Sequence, residues 1–438
     1  MTPGARLQAA IELLDQIAAS GVPADHLVGN YFRSRRYAGS KDRRAVNEMV
    51  YDVLRRRGEY SWRANSTDSR PLTLAHLMSL DDAAIEAVAL LFDGSTYGPA
   101  ELDGDETAIL AKLAGTADED APPWASGNYP EWLHGALERR FGANLDAEMA
   151  AMGGRAEVDL RINALKDNVG DVATKLAAED IPTTPGNFAP TALRLNSRRS
   201  LVNHPAYQNG VIEIQDEGSQ LVALLCAAKP GQQVVDYCAG AGGKSLALAA
   251  QMDNKGQIFA FDKNPRRMRP LRERLQRAGA RNLQIHALAD PASAATLTNL
   301  QGKADRVLLD VPCSGSGAWR RNPESKWRLT SEQLAEYTET QTEILSRAAP
   351  LVAPGGRLIY ATCSLLMAEN EDQIDSFLSS HSDFEIMPVA SVWDEVMESD
   401  CPSNKSGNKP GDDTYLRLTP AKHHTDGFFV AIMQRKQT

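Results

Sequence analysis

The N-terminal part of the chain repeats hydrophobic residues at helical spacing. The repeating positions are Leu7, Ile11, Leu14 and Ile17, then Val46, Met49, Val50, Val53 and Leu54. Residues three or four positions apart fall on one face of an amphipathic helix. An acidic stretch at Leu102–Pro123 interrupts the pattern and predicts a surface loop. We therefore predict an all-helical domain over residues 1–140.

A different pattern begins near residue 155. The segment VDLRINALK, which starts at Val158, is typical of a strand, a helical pattern follows over Val169–Ala178, and another strand is predicted at Ala192–Leu195. Short strands separated by a helix indicate a small α/β module, which we place at residues 155–210.

Predicted strands and helices alternate over residues 211–438. This alternation is typical of a parallel sheet with right-handed helical crossovers. The predicted strands are 233–238, 257–262, 283–287, 305–311, 356–362 and Phe428–Met433, the last after a polar loop at Glu398–Asp413. The predicted fold class is therefore α/β, with a Rossmann-like sheet preceded by the small α/β module and the helical domain.

Composition narrows the class of protein. The chain has 438 residues, 42% hydrophobic and 24% charged, which is ordinary for a soluble protein of two or three domains. Its apolar runs are too short to span a bilayer, and Glu12 and Asp15 interrupt the N-terminal segment, so no secretory signal is predicted. Five cysteines without a CxxC pair indicate reduced thiols in the cytosol and argue against structural zinc.

The net charge of the chain argues against binding of nucleic acid, but the local distribution of charge favours it. The net charge of −10 argues against nucleic acid, yet a local basic face can still bind a polyanion. Residues 263–281 combine eight basic residues with one acid, Glu273. The basic residues are Lys263, Arg266, Arg267, Arg269, Arg272, Arg274, Arg277 and Arg281. This density exceeds what solubility needs, so we predict nucleic acid contact there.

A glycine-rich turn, QVVDYCAGAGGKS at Gln233–Ser245, joins a predicted strand to a helix. Its glycines, which let backbone N–H groups approach a ligand, are Gly240, Gly242 and Gly243. Cys238 stands where a phosphate-binding P-loop needs glycine, and Ser245 stands where a dinucleotide fingerprint needs it. Asp262 ends the next strand, where a carboxylate can bind both hydroxyls of a ribose. This combination suits S-adenosylmethionine.

Two cysteines follow predicted strands of the same sheet. DRVLLDVPCSGSG places Asp310 and Cys313 after strand four, and GGRLIYATCS places Cys363 after strand five. The carboxyl ends of strands one, four and five face one crevice in a doubly wound sheet, so these residues should converge on the glycine turn. A thiolate that adds to carbon 6 of cytosine makes carbon 5 nucleophilic enough to take a methyl group. The second thiol could assist elimination, and Asp310 could hydrogen-bond the base edge.

These motifs resemble those of a known enzyme family. The segments DYCAGAGGKS, AFDKNPRR, LLDVPCSGSGAWRRNPESKW, YATCSLLMAENEDQI and DGFFVA are similar to the Sun/RsmB/Nop family of S-adenosylmethionine-dependent RNA cytosine-5 methyltransferases. The resemblance implies that Cys363 is the nucleophile and that Cys313 aids product release. DNA cytosine-5 methyltransferases attack from the Pro-Cys cysteine instead, so Cys363 separates the two classes.

The resemblance also implies binding residues. Those expected at the cofactor are Cys238, Ala239, Gly240, Ala241, Gly242, Gly243, Lys244, Asp262, Asp310 and, near strand three, Asp290. Those expected to grip the RNA backbone and stack a base are Arg320, Arg321, Lys326 and Trp327. The segment GSKDRRAVNEMVYDVLRRR resembles a NusB-like RNA-binding helical domain, and the small module resembles an RNA-recognition-like fold.

We therefore expect a cytoplasmic, monomeric RNA cytosine-5 methyltransferase, with ribosomal RNA as its substrate by resemblance. Two alternatives stay open. One is a tRNA methyltransferase of the same chemistry, and the other is a catalytically silent RNA-binding ribosome assembly factor. A DNA methyltransferase would require Cys363 to be dispensable.

Overall fold

The computed structural model describes residues 1–80, 84–115, 120–402 and 413–437. They divide into two units. The first comprises Met1–Arg155 and Trp319–Ser331, and the second comprises Ala156–Ala318 and Glu332–Thr438. Most of the polar loop predicted at Glu398–Asp413 lies outside the described residues.

The first unit is helical, as predicted. Its helices are α1 (Pro3–Ala19), α2 (Ala24–Ser34), α3 (Ser40–Arg55), α4 (Arg57–Ala64), α5 (Ser69–Met78), α6 (Ile85–Ala89), α7 (Gly104–Leu113), α8 (Pro123–Ser126), α9 (His134–Phe141), α10 (Leu145–Gly153) and, from the later segment, α18 (Pro323–Arg328). The Thr2 hydroxyl begins α1 by accepting a hydrogen bond from the Ala5 N–H at 3.2 Å. Within the described ranges, no helix is both long and apolar enough to cross a membrane.

The prediction of a loop at Leu102–Pro123 is wrong for the first half of this stretch, because α7 forms there. The Asp103 carboxylate accepts from the Glu106 N–H at 2.8 Å, and the Glu106 carboxylate accepts from the Asp103 N–H at 3.2 Å. This capping box satisfies the first turn of the helix. Leu110 is buried on the inner face of α7. The acids therefore mark a helix start rather than a solvated loop.

The second unit begins with a small antiparallel sheet. Its elements are β1 (Asp159–Ile162), α11 (Val169–Ala178), β2 (Thr183–Pro185), β3 (Ala192–Leu195), α12 (Pro205–Gln208) and β4 (Ile212–Ile214). The spatial order β2-β3-β1-β4 is that of a ferredoxin-like β-α-β-β-α-β fold. The predicted helix at Val169–Ala178 and strand at Ala192–Leu195 are confirmed.

A larger sheet follows. Its strands are β5 (Gln233–Asp236), β6 (Gln257–Asp262), β7 (Leu283–Ala287), β8 (Ala304–Asp310), β9 (Val352–Thr362), β10 (Phe384–Met387), β11 (Leu416–Leu418) and β12 (Phe428–Arg435). The accompanying helices are α13 (Glu217–Leu224), α14 (Gly243–Gln251), α15 (Pro265–Met268), α16 (Leu271–Ala278), α17 (Pro291–Leu300), α19 (Ser331–Ala348), α20 (Glu371–Ser380), α21 (Val389–Val396) and α22 (Pro420–His423). All six strands predicted for this part of the chain are confirmed.

The order of this sheet is β10-β12-β9-β8-β5-β6-β7, with β11 paired to β12. Strands β5 to β9 are parallel, and β12 is antiparallel to β9. Alternate residues of β5 enter different cores, Val234 on one face of the sheet and Val235 on the other. Burial of both faces is typical of a parallel sheet covered by helices, so the Rossmann-like α/β prediction is confirmed.

The chain passes from β5 to β6 on one side and later returns to β8 on the other side of β5. Connections that diverge in this way leave a crevice outside the carboxyl ends of the strands. The glycine turn, Asp310 and both strand-end cysteines follow β5, β8 and β9 at this edge.

Candidate active site

The loop after β5 has a backbone shape that glycine adopts most readily. Gly240 and Gly242 have φ angles of +52° and +82°. A side chain at position 242 would also overlap Leu271 of α16. The helix α14 begins directly after this loop, at Gly243, so the unpaired N–H groups of its first turn stand beside the loop.

Asp262, at the end of β6, holds the glycine loop in place. Its carboxylate accepts hydrogen bonds from the Gly240 N–H at 2.8 Å and from the Asn264 N–H at 2.7 Å. Arg274 supports the same loop by donating to the Ala241 carbonyl at 2.6 Å. The structure thus brings the predicted acid to the predicted glycine turn.

Lys244 and Asp310 form an ion pair across the crevice. The Lys244 Nζ lies 2.6 Å from Asp310 Oδ2, and the lysine is almost fully buried. Burial has the largest single effect and lowers the pKa of Lys244, but the charge and hydrogen bond of Asp310, together with Cys363 and Asp236, raise the net pKa. The glycine loop and the end of β8 are therefore joined by a buried charge pair.

The two strand-end cysteines meet, as the topology predicts. Cys313 Sγ and Cys363 Sγ are 3.4 Å apart, although 50 positions separate them in the sequence. The Gly317 N–H donates to the Cys363 carbonyl at 2.9 Å, so the two loops also share a backbone hydrogen bond. Contact with Cys363 and burial raise the pKa of the Cys313 thiol well above its usual value. Cys313 therefore stays protonated at neutral pH.

The chain is similar to known methyltransferases. Residues 223–434 match the family described as 16S rRNA methyltransferase RsmB/F, and residues 129–201 match the ferredoxin-like domain of RsmF/B-like methyltransferases. The chain is 35% identical to the probable ribosomal RNA small subunit methyltransferase B of Synechocystis sp., over 70% of this chain and 67% of that protein. It is 30% identical to ribosomal RNA small subunit methyltransferase B of Erwinia tasmaniensis, over 91% and 92% of the two chains. The chain belongs to the RsmB/F family of methyltransferases.

The fold agrees with membership of the RsmB/F family. The crystal structure of PH0851 is similar with a TM-score of 0.77, at 26% identity, over 99% of both chains. The family resemblance given by the sequence motifs is thus confirmed.

Sequence reasoning missed Asp236, the last residue of β5. Its carboxyl group is buried and accepts from the Ser245 hydroxyl at 2.6 Å, while its Oδ1 has no hydrogen-bond partner within the described residues. Burial raises the pKa of Asp236 to about 7. The feature of the sequence that could have identified Asp236 is its position as an acid in the strand that leads into the glycine turn.

Two predicted cofactor residues have clear structural roles in this RsmB/F family member. Asp290 caps α17, where its carboxylate accepts from the Ala292 N–H at 3.0 Å. No hydrogen bond joins Asp290 to the glycine loop within the described residues. Cys238 is half-buried and packs against the core that contains Val235, and burial raises the pKa of its thiol.

The residues predicted to grip RNA belong instead to the helical unit. Arg320 and Lys326 are buried, Arg321 is half-buried, and the Trp327 indole N–H donates to the Leu54 carbonyl at 2.7 Å. The Lys326 ammonium donates to the Arg55 carbonyl at 3.4 Å, and burial lowers its pKa to about 7. Neither side chain of Arg320 and Lys326 is exposed, and RNA contact by the four residues stays a prediction.

Proposed function

We propose that the chain transfers a methyl group from S-adenosylmethionine to carbon 5 of a cytosine in ribosomal RNA, through a covalent bond between Cys363 and carbon 6. The observation that carries this proposal is the pair of thiols 3.4 Å apart at the strand ends beside the glycine loop. A cytosine-5 reaction needs one sulfur to attack and benefits from a second group during elimination.

The residues at the crevice fit S-adenosylmethionine. The positive φ angles at Gly240 and Gly242 turn the backbone beside the start of α14, and the Asp262 carboxylate next to this turn is the group that we assign to the ribose. When bound, this cofactor supplies an electrophilic methyl group. The proposed binding residues are Cys238–Lys244, Asp262 and Asp310, while Asp290 stays a prediction.

The two cysteines have different environments, which supports different roles. Lys244 interacts electrostatically with Cys363, and a nearby ammonium stabilises the thiolate that must attack. Attack forms the bond from Cys363 Sγ to carbon 6 and moves electron density to carbon 5. After methylation, a solvent water molecule takes the proton from carbon 5, the electron pair re-forms the double bond between carbons 5 and 6, and the Cys363 sulfur leaves as a thiolate. Cys313 is a protonated thiol in contact with Cys363, and we assign it the donation of a proton to this departing sulfur.

The exposed basic residues in and beside α15 and α16 support an RNA substrate. They are Lys263, Arg266, Arg267, Arg269, Arg272 and Arg281. Arg274 and Arg277 instead pair with Glu213 at 2.9 and 2.6 Å. The exposed set adjoins the cofactor loop, because Arg267 lies 3.8 Å from Asp262. A basic surface at this position is suited to the phosphates of the strand that carries the target base. All five cysteines are free thiols, in keeping with a cytoplasmic enzyme.

The test is methyl transfer from labelled S-adenosylmethionine to small-subunit ribosomal RNA and to tRNA, followed by nucleoside analysis. We expect 5-methylcytidine in the ribosomal RNA. The same nucleoside in tRNA alone would favour the tRNA alternative. Binding of RNA and cofactor without transfer to either RNA would favour the assembly-factor alternative.

A further inference from the structure

We propose that Glu369 is a positioning residue that holds the two cysteine loops in the geometry needed for methyl transfer. The proposal rests on the proposed function, since it assigns both thiols to one reaction. Glu369 follows β9 in a short 3-10 turn, Met367–Glu369, and is fully buried. It contacts neither the glycine loop nor α14 through any hydrogen bond that the described residues show.

The Glu369 carboxylate binds both loops at the residue next to each cysteine. Oε1 accepts from the Ser314 N–H at 2.8 Å, and Oε2 accepts from the hydroxyls of Ser314 and Ser364. Ser314 follows Cys313, and Ser364 follows Cys363. One side chain therefore links the two backbones a single residue away from each sulfur.

Neighbouring groups extend this link. Gln341 of α19 donates from one Nε2 both to Glu369 Oε1 at 3.1 Å and to the Pro312 carbonyl at 3.0 Å. The Ser316 hydroxyl accepts from the Leu365 N–H at 2.8 Å, which ties the loops together a second time. A buried network of this kind is rigid only while each member keeps its partners.

The Glu369 carboxylate also affects the chemistry of the Cys313 thiol. The contact with Cys363 and burial are the main causes of the raised pKa of Cys313, and Glu369 raises this pKa further. Tyr337 and Tyr360 also interact electrostatically with Cys313, and a backbone hydrogen bond at Gly315 lowers the pKa of this thiol. Glu369 is held by hydrogen-bond donors and, within the described residues, by no ion pair, so its negative charge is not offset by a cation. It therefore favours the thiol form of Cys313.

The first variant is Glu369→Gln, which keeps the shape but puts an amide group where two serine hydroxyls donate. A displacement of about 1 Å in a reacting group can cost about 10²-fold in rate, so we expect kcat to fall by about that factor. The KM for S-adenosylmethionine should stay within about twofold, because the glycine loop is untouched.

Glu371→Gln is the matched control. Glu371 is also a buried glutamate, two positions further on, but its carboxylate accepts from Arg417 at 2.7 Å, whereas Ser314 and Ser364 donate to Glu369. Breaking that ion pair should lower the unfolding temperature while leaving kcat within about twofold of wild type. If both variants lose activity only in proportion to their lost stability, Glu369 is purely structural and the proposal fails.

A second readout does not depend on methyl transfer. Alkylation of Cys313 by iodoacetamide, followed by mass spectrometry against pH on the free protein, reports the protonation of that thiol. Glu369→Gln should move the Cys313 profile to lower pH, and Glu371→Gln should leave it unchanged. If wild type fails to methylate RNA, this profile still tests Glu369 separately from the proposed function.

Ser364→Ala covers the case in which Glu369→Gln does not fold. It removes one of the donors to Oε2 and keeps the carboxylate. Loss of one hydrogen bond to a charged group predicts a fall in kcat of about tenfold, with the KM for S-adenosylmethionine unchanged. An unaltered kcat in Ser364→Ala would overturn the proposal.

Discussion

Two basic segments of this chain have opposite environments. In residues 263–281 most of the basic side chains are exposed, whereas in α18 and the residues just before it Arg320 and Lys326 are only 7% and 3% exposed. Both segments looked like RNA contacts in the sequence. The density of positive charge alone therefore does not distinguish an exposed basic surface from a segment that packs inside a domain.

The difference lies in where the apolar residues fall. In α15 and α16 the buried residues Met268, Leu271 and Ala278 leave the remaining faces to solvent. Around α18, aromatic rings surround the charge instead. The Lys326 Nζ lies 5.1 Å from the Trp327 ring and 5.8 Å from the Trp319 ring. Cation–π contact and the Arg55 carbonyl replace part of the lost hydration of this ammonium.

The largest effect expected is from Trp319→Ala. Trp319 is fully buried, so truncation should lower the free energy of unfolding by about 3–5 kcal/mol. Trp132→Ala, at an exposed tryptophan of the same unit, is the control and should cost less than about 1 kcal/mol. Urea denaturation measures both. Equal losses would show that the α18 segment is not packed as described.

A smaller effect is expected from reversing three exposed charges of the first segment, in the variant Arg266→Glu, Arg269→Glu, Arg272→Glu. RNA affinity at 0.15 M salt should fall by about tenfold, and the slope of log affinity against log salt should weaken by about 2. The control reverses Lys229, Lys255 and Lys303, which are exposed at the opposite, amino ends of β5, β6 and β8. Equal losses of RNA affinity in both triple variants would show that the exposed basic residues of 263–281 do not form the RNA-binding surface.

The remaining effect depends on pH and concerns Lys326. Its pKa is about 7 in the folded chain against 10.5 for the free group, so the unfolded chain binds more protons between these values. The cost of burying the charge is fully present below pH 7 and is relieved as pH rises. The unfolding free energy of wild type should therefore rise relative to Lys326→Met, by at most about 1.4 kcal/mol per pH unit. Denaturation of both proteins at pH 7, 8 and 9 checks this. If the unfolding free energies of wild type and Lys326→Met change equally with pH, the lowered pKa of Lys326 is contradicted.

Sequence patterns predicted the features that depend on neighbouring residues. The strands Gln257–Asp262 and Leu283–Ala287 have the predicted bounds, because short apolar runs between turns mark strands buried on both faces. The glycine loop is also local, since its turn needs positive φ within a few residues. The convergence of Cys313 and Cys363 followed from topology, which places strand ends at one edge.

The features that sequence patterns did not predict depend on distant contacts. The partners of α18 lie in α1 to α3, about 300 positions earlier, as in the bond from Arg328 to the Ile17 carbonyl. The role of Glu369 requires two loops that are 50 positions apart to be adjacent. The family resemblance implied Asp290 near the cofactor, and the sequence pattern did not predict that Asp290 caps α17; its contact with the cofactor stays a prediction.

The central claim is that Cys363 attacks the base and Cys313 helps to release it. The most direct measurement is a denaturing gel of RNA incubated with labelled S-adenosylmethionine and wild type, Cys363→Ser or Cys313→Ser. We predict no transfer and no adduct with Cys363→Ser, and an RNA–protein adduct that survives denaturation with Cys313→Ser. An adduct that forms with Cys363→Ser and is lost with Cys313→Ser would contradict the account by reversing the two roles.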